Sequence, residues 1–150
     1  MPKKIIYFDM DYTLVDFMSG VEKVPMDERI QYSRPDDIPN IFSLMEPMPG
    51  AVRAYKTLAQ RFDCYVLSTA TWDNITAWCD KRIWVEKYLG DETKKRLILT
   101  HHKELCRGDY LIDDNLAHGA ERFEGVIIQF GKSPFETWDA VLRYFENVPS

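Results

Sequence analysis

The sequence predicts an α/β fold: a three-layer, Rossmann-like parallel β-sheet flanked by helices, with a small insertion after the first strand. Two observations lead to this prediction. Short apolar runs alternate along the chain with longer segments of helical periodicity, which is the pattern of repeated βαβ units. Two of the apolar runs also end in pairs of acids, and parallel α/β sheets bind ligands at the carboxyl ends of their strands.

Five strands are predicted, near residues 4–8, 64–68, 96–99, 110–112 and 126–129. One helix begins after Pro49 and Gly50, with Val52, Tyr55, Leu58, Ala59 and Phe62 along one face. A second runs from an N-cap at Asp73 toward Gly90. A short helix is expected after Asn115, and a last one spans residues 134–147, with an inner face of Phe135, Trp138, Leu142 and Phe145.

Residues 17–45 break this alternation, because they are rich in Pro, Asp and Met and show only weak periodicity. We therefore predict a catalytic core of residues 1–16 and 46–150, interrupted by a small cap. Directly after an acidic strand end, this cap would lie over the site as a lid, with Phe17 and Phe42 available to contact a substrate. The alternative for each aromatic is simple core packing.

Composition excludes several classes of protein. A chain of 150 residues is about one domain, and 45% hydrophobic residues fit a globular protein rather than a disordered one. The three cysteines, Cys64, Cys79 and Cys106, are too few for a disulfide framework or a zinc site. A net charge of -5 argues against a nucleic acid polymer as partner. No apolar run reaches the ~18 residues of a membrane span and no signal peptide is evident, so we expect a cytoplasmic protein without a membrane partner.

The first acid pair is Asp9 and Asp11, at the end of the first apolar run. Residues two apart on a strand point the same way, so both carboxylates would enter one space. Two carboxylates repel each other, and a hard cation such as Mg²⁺, which often brings a phosphate, relieves that repulsion. The alternative is that both acids are ordinary turn residues.

The second pair, Asp113 and Asp114, ends the run that begins at Tyr110. Past the strand end, the chain can turn both acids toward the same cation. Helix capping is the alternative, since Asp-Asp-Asn is good N-cap chemistry. Because two strands end in acid pairs, we favour the metal site.

The spacing Asp9-x-Asp11-x-Thr13 resembles the opening motif of the haloacid dehalogenase superfamily. Further stretches, at residues 46–52, 84–90 and 111–114, resemble the 5'(3')-deoxyribonucleotidases of that superfamily. The resemblance implies a phosphomonoesterase in which Asp9 is the nucleophile and Asp11 is first general acid and then general base. It also implies Mg²⁺ held by Asp9, the Asp11 backbone carbonyl and Asp114, with Asp113 as a companion that reaches the cation through a water molecule or supports its ligands.

The resemblance further implies that Thr69, with the Ala70 amide beside it, binds the phosphoryl oxygens. A lysine must offset the carboxylates and bind the phosphate. Lys103 is favoured because it follows a strand, and Lys81, on the helix after Thr69, is the alternative.

The chain departs from the family pattern in two places. Tyr12 stands where the family usually has glycine, and the insertion is shorter than the family's helical cap. The leading prediction is a Mg²⁺-dependent phosphatase of deoxynucleoside monophosphates. A phosphatase of another small metabolite, such as a sugar phosphate, and a non-catalytic module that binds a phosphorylated ligand are the alternatives.

Overall fold

The computed structural model describes residues 2–150 and contains a five-stranded sheet in which every pair is parallel. Its strands, in spatial order, are β5 (Leu97–Leu99), β4 (Asp63–Ser68), β1 (Ile5–Phe8), β6 (Tyr110–Asp113) and β7 (Val126–Gln129). The order reverses direction at β1, which places the switch point of the topology between β4 and β6. The predicted α/β fold class is confirmed, and all five strands lie where the apolar runs predict them.

The main core lies on one face of the sheet, beneath α3 (Ala51–Ala59), α4 (Ile75–Leu89) and α5 (Trp138–Glu146). Alternate residues of β1, Ile6 and Phe8, point into it, while Tyr7 points to the opposite face. That second face is covered by Phe123 and by a 3-10 turn, Ala120–Arg122. This turn is what the structure forms where a short helix after Asn115 was expected.

Two helix starts differ from prediction. The N-cap residue of α4 is Asn74 rather than Asp73, and its side-chain amide donates to the carbonyls of Asp36 and Ile38 at 3.0 and 2.9 Å. Helix α5 begins at Trp138 rather than Pro134, because the Thr137 side chain caps it by accepting a hydrogen bond from the Ala140 amide. Within residues 2–150, no helix has the length and apolar character needed to cross a membrane.

The insertion leaves and rejoins the core through one antiparallel ribbon, formed by β2 (Val15–Asp16) and β3 (Glu46–Pro47). Between them lie α1 (Phe17–Val21), α2 (Met26–Arg29) and two 3-10 turns, Pro35–Asp37 and Ile41–Leu44. Apolar residues of this segment join the main core, namely Val21, Val24, Ile38, Ile41 and Met45. The segment is therefore packed on the sheet domain rather than separate from it.

Candidate active site

A cavity of about 600 Å³ opens at the carboxyl ends of β1, β4 and β6. It is lined by the acids of both predicted pairs and by Thr69 and Lys103, together with residues of the insertion. The structure thus brings together side chains that lie up to 105 positions apart in the sequence, from Asp9 to Asp114. They meet because parallel strands end at the same edge of the sheet.

A tight turn after β1 aims the first acid pair. The Thr13 and Val15 amides both donate to the Met10 carbonyl, at 3.0 and 2.8 Å. Tyr12 sits at φ 62°, in the left-handed region that favours glycine. A non-glycine residue held there is a strain that the surrounding structure must support, and such strain is concentrated at functional sites.

Asp9 is held by a buried lysine. The Lys103 ammonium donates to Asp9 Oδ1 at 2.9 Å and to Asp113 Oδ2 at 2.7 Å. Burial opposes ionisation of Asp9, but the charge and hydrogen bond of Lys103 outweigh it, so the pKa of Asp9 is lowered. Asp9 is therefore an ionised carboxylate at neutral pH, the form that a nucleophile requires.

Asp11 has a different lysine. The fully buried Lys81 ammonium donates to Asp11 Oδ2 at 3.0 Å, to the Ser68 hydroxyl at 2.8 Å and to the Thr69 carbonyl at 2.9 Å. The other carboxylate oxygen, Asp11 Oδ1, is buried with no hydrogen-bond partner within residues 2–150. Burial raises the pKa of Asp11, which favours the protonated form of a group that could donate a proton.

The two lysines differ in the donors they have left. An ammonium has three N–H groups, and those of Lys81 are matched by its three partners. Within the described residues, Lys103 has two hydrogen-bond partners, so one N–H is available to a ligand. This distinction favours Lys103 over Lys81 as the lysine that contacts a bound anion.

Carboxylate oxygens of Asp9, Asp113 and Asp114 lie within 4.8 Å of one another. An all-oxygen ligand set of this kind suits a hard divalent cation such as Mg²⁺. Asp113 is already occupied, because one oxygen accepts from Lys103 and the other from the Asn115 amide at 3.1 Å. Asp114 lines the cavity, so the residues present fit a cation bound chiefly between Asp9 and Asp114.

The second acid pair is destabilised as a set of anions. Burial and the charge of Asp9 raise the pKa of Asp113 to about 8 and that of Asp114 to about 7. A divalent cation would reverse this effect by compensating the clustered negative charge.

The predicted phosphate-binding residues lie at the end of β4. Thr69 lines the cavity, and its hydroxyl donates to the Thr100 carbonyl at 2.7 Å. Ala70 is fully buried. Their roles toward phosphate remain predictions.

Both predicted cap contacts, Phe17 and Phe42, line the cavity but are more than nine-tenths buried. The Phe42 ring lies over the Lys81 ammonium at 4.8 Å and packs edge-on against Phe17 at 6.0 Å. Each therefore offers little free surface to a substrate, and both also pack as core residues.

Two contacts among the site residues were not predicted from the sequence. The Thr13 hydroxyl lies 3.2 Å from Asp9 Oδ2 and 3.3 Å from Asp114 Oδ1, and it accepts from the Asp114 amide at 3.2 Å. Ser68 accepts from Lys81 inside the protein. The spacing Asp9-x-Asp11-x-Thr13 could have indicated the Thr13 contact. Nothing in the sequence distinguishes Ser68 from an ordinary residue at a strand end.

Comparison with known proteins finds a matching family, similar sequences and similar folds. The model of the family described as 5' nucleotidase, deoxy (pyrimidine), cytosolic type C protein matches residues 27–144. A protein of Vibrio phage KVP40, provisionally named 5'(3')-deoxyribonucleotidase, is 52% identical over 146 residues, which cover 97% of this chain and 86% of the relative. A Bordetella pertussis protein with the same provisional name is 32% identical over 136 residues, or 73% of each chain.

Among solved structures, the provisionally assigned HAD hydrolase YfnB from Bacillus subtilis, bound to magnesium, superposes with a TM-score of 0.65. The match covers 99% of this chain and 100% of that one at 13% identity. At this identity the likeness establishes the fold alone.

Proposed function

Because the chain belongs to the 5'(3')-deoxyribonucleotidase family, whose members are phosphoric monoester hydrolases, we propose that it dephosphorylates deoxynucleoside monophosphates through an aspartyl-phosphate intermediate. The observation that carries the proposal is the state of Asp9. Its carboxylate stands at the end of β1, ionised and held by Lys103, with a proton-bearing candidate, Asp11, two residues away.

In the first step, an oxygen of Asp9 attacks the phosphorus and the bond to the ester oxygen breaks. Asp11 gives its proton to that leaving oxygen, so the nucleoside departs as a neutral alcohol. The unpartnered Asp11 Oδ1 is the atom suited to this transfer, because its partner oxygen is fixed by Lys81.

In the second step, Asp11 accepts a proton from water as the water oxygen attacks the phosphorus. The bond between phosphorus and Asp9 then breaks, which releases inorganic phosphate and restores the Asp9 carboxylate. Asp11 ends the cycle protonated, as it began.

Mg²⁺ would be held by Asp9, the Asp11 backbone carbonyl and Asp114, with Asp113 as the outer companion that also orients Lys103. When bound, the cation supplies positive charge that lets an anionic phosphate approach the carboxylates. Thr69, the Ala70 amide and the remaining N–H of Lys103 would bind the phosphoryl oxygens, and residues 17–45 would form the lid above them.

A phosphatase of another small metabolite, such as a sugar phosphate, is the second candidate. The short insertion favours it, because few lid residues are available to distinguish one leaving group from another. A substrate comparison separates the two functions.

The test is phosphate release, with and without Mg²⁺, from 5' and 3' deoxynucleotides, ribonucleotides and sugar phosphates. We expect Mg²⁺-dependent hydrolysis that prefers deoxynucleotides and falls by at least about a thousandfold in Asp9→Asn, since removing a nucleophile abolishes the covalent route. Asp139→Asn, an exposed acid on α5, is the matched control and should retain full activity. Equal hydrolysis of all esters would favour the second candidate, and undiminished activity of Asp9→Asn would refute the mechanism.

A further inference from the structure

Trp72 is an exposed aromatic residue in the wall of the catalytic cavity. It follows Thr69 by three residues, and 75% of its surface is accessible. Single exposed apolar side chains are common on protein surfaces, so exposure alone does not indicate a ligand. Trp72 is distinguished by its place, because it lines the same cavity as Asp9, where the substrate of the proposed reaction would bind.

The ring is supported from the core side. Trp78 and His101 pack against it edge-on, with ring centroids at 6.3 and 5.9 Å, and His118 packs in turn against His101 at 6.0 Å. These contacts fix the position of the indole while leaving most of it free. The spacing of the histidines in the sequence does not indicate that His101 binds a metal. Its contact with Trp72 instead indicates that it supports the indole ring.

The loop that carries Trp72 is anchored at several points. Thr71 accepts from the Arg34 guanidinium and donates to Asp36 Oδ2, both at 3.2 Å, and Asn74 donates to two carbonyls of the insertion. A ring on an anchored loop loses little conformational entropy when a ligand binds. Arg34 and Asp36 also line the cavity, so polar groups lie beside the aromatic surface.

The other aromatic side chains of the cavity offer less exposed ring surface to a base. Phe17 and Phe42 are buried, and Tyr12 has one face covered by Phe17, at a centroid distance of 5.2 Å and an interplanar angle of 27°. Three residues of chain span at most about 10–11 Å, which places Trp72 within a nucleoside's reach of the proposed phosphate site at Thr69.

We propose that Trp72 is the stacking platform for the nucleobase of the substrate, with Arg34 and Asp36 beside it as hydrogen-bonding groups for the base edge. The inference rests on the proposed function and extends it, because it assigns recognition of the leaving group to the core loop after β4 rather than to the short insertion alone. Stacking is tolerant of base identity, so this site accepts several bases.

The kinetic test compares a substrate with a base and one without it. In Trp72→Ala, kcat/KM for dTMP and dGMP should fall about 5- to 150-fold, the range observed when a stacking aromatic is removed. For 2-deoxyribose 5-phosphate, which has no base, it should stay within about twofold. Trp72→Phe should retain most of the activity toward nucleotides, and Ile75→Ala, an exposed neighbour at 80% accessibility, is the control. Equal losses for both kinds of substrate, or no loss for either, would overturn the proposal.

A binding experiment makes the inference independent of turnover. In Asp9→Asn, saturating dTMP should quench tryptophan fluorescence, and most of that quenching should vanish when Trp72→Phe is added. If the wild-type protein hydrolyses neither ester, the proposed function fails, while this quenching still decides whether Trp72 stacks a base. Unchanged quenching in the double variant refutes the platform.

Discussion

Two buried lysines divide the charge of the candidate site between them. Lys103 forms ion pairs with Asp9 and Asp113, and Lys81 pairs with Asp11. A carboxylate whose ammonium partner is removed remains as an uncompensated buried charge, which is strongly destabilising. At Asp9 the charge of Lys103 outweighs burial and lowers the pKa, whereas at Asp11 burial outweighs the charge of Lys81 and raises it. The two acids therefore favour different protonation states, as the proposed nucleophile and proton donor require.

Replacing Lys81 with methionine should separate these roles. Without Lys81, Asp11 loses the contact that fixes Oδ2, and delivery of its proton to the leaving oxygen becomes inefficient. We expect kcat/KM for dTMP to fall about 10²- to 10⁴-fold, the usual contribution of general acid catalysis. For p-nitrophenyl phosphate, whose leaving group needs no proton, the loss should be much smaller.

Lys103→Met is the comparison for that experiment. Because Lys103 contacts the nucleophile itself, its loss should reduce kcat/KM for both esters alike. Lys81→Met must first be shown to unfold at the same temperature as the wild-type protein. If this variant then reduced kcat/KM equally for dTMP and p-nitrophenyl phosphate, Lys81 would be acting on the phosphate or on the nucleophile rather than on the leaving group.

At the scale of elements, α4 fastens the insertion to the sheet domain. The buried Trp84 indole, in the middle of that helix, donates to the Met45 carbonyl at 3.0 Å. Met45 is the last residue of the predicted cap, so this bond fixes the point where the cap returns to the core. A buried carbonyl without a donor is destabilising, which gives the contact its importance.

Trp84→Phe should lower the free energy of unfolding by about 1–3 kcal/mol, because it leaves the Met45 carbonyl unsatisfied and also removes some buried ring. Urea denaturation followed by circular dichroism measures the effect. Trp78→Phe, a half-buried position on the same helix, is the control and should change stability less. Equal losses of unfolding free energy at the two positions would mean that the hydrogen bond of the Trp84 indole does not contribute to stability.

At the scale of the whole molecule, the acidic cluster links stability to pH and to metal. Burial and the charge of Asp9 raise the pKa of Asp114 from 3.8 to about 7, and that of Asp113 is raised for the same reasons. Between pH 3.8 and about 7, Asp114 of the folded chain holds a proton that the unfolded chain has released. Stability without metal must therefore fall as pH rises through this range.

We expect metal-free protein to lose about 1–2 kcal/mol of unfolding free energy between pH 5.5 and 8, after allowance for partial exposure of Asp114. Mg²⁺ should stabilise it more at pH 8 than at pH 5.5, because the ligands must be deprotonated to bind. Thermal melts at both pH values, with and without 10 mM Mg²⁺, test this. Asp114→Asn should flatten the pH dependence and reduce the effect of Mg²⁺. An equally steep dependence in that variant would assign the linkage to other groups.

The fold class, the five strands and the two acid pairs follow from the amino-acid sequence alone. These features are local: apolar runs of strand length need no distant partner to be recognised, and acids at strand ends must meet wherever parallel strands share an edge. The resemblance of the motifs to a nucleotidase family was likewise contained in short stretches, such as Asp9-x-Asp11-x-Thr13.

Which lysine pairs with which acid depends on the three-dimensional fold. Lys81 and Lys103 are both plausible phosphate-binding residues from the sequence. Their roles differ because the three N–H groups of Lys81 all have partners inside the protein, whereas Lys103, within residues 2–150, has one N–H left for a ligand. The burial of Phe17 and Phe42 and the exposure of Trp72 were equally hidden, since which face of an aromatic ring is covered depends on neighbours far away in the chain. Contacts between distant segments, not local pattern, therefore determine which residues the cavity offers to a substrate.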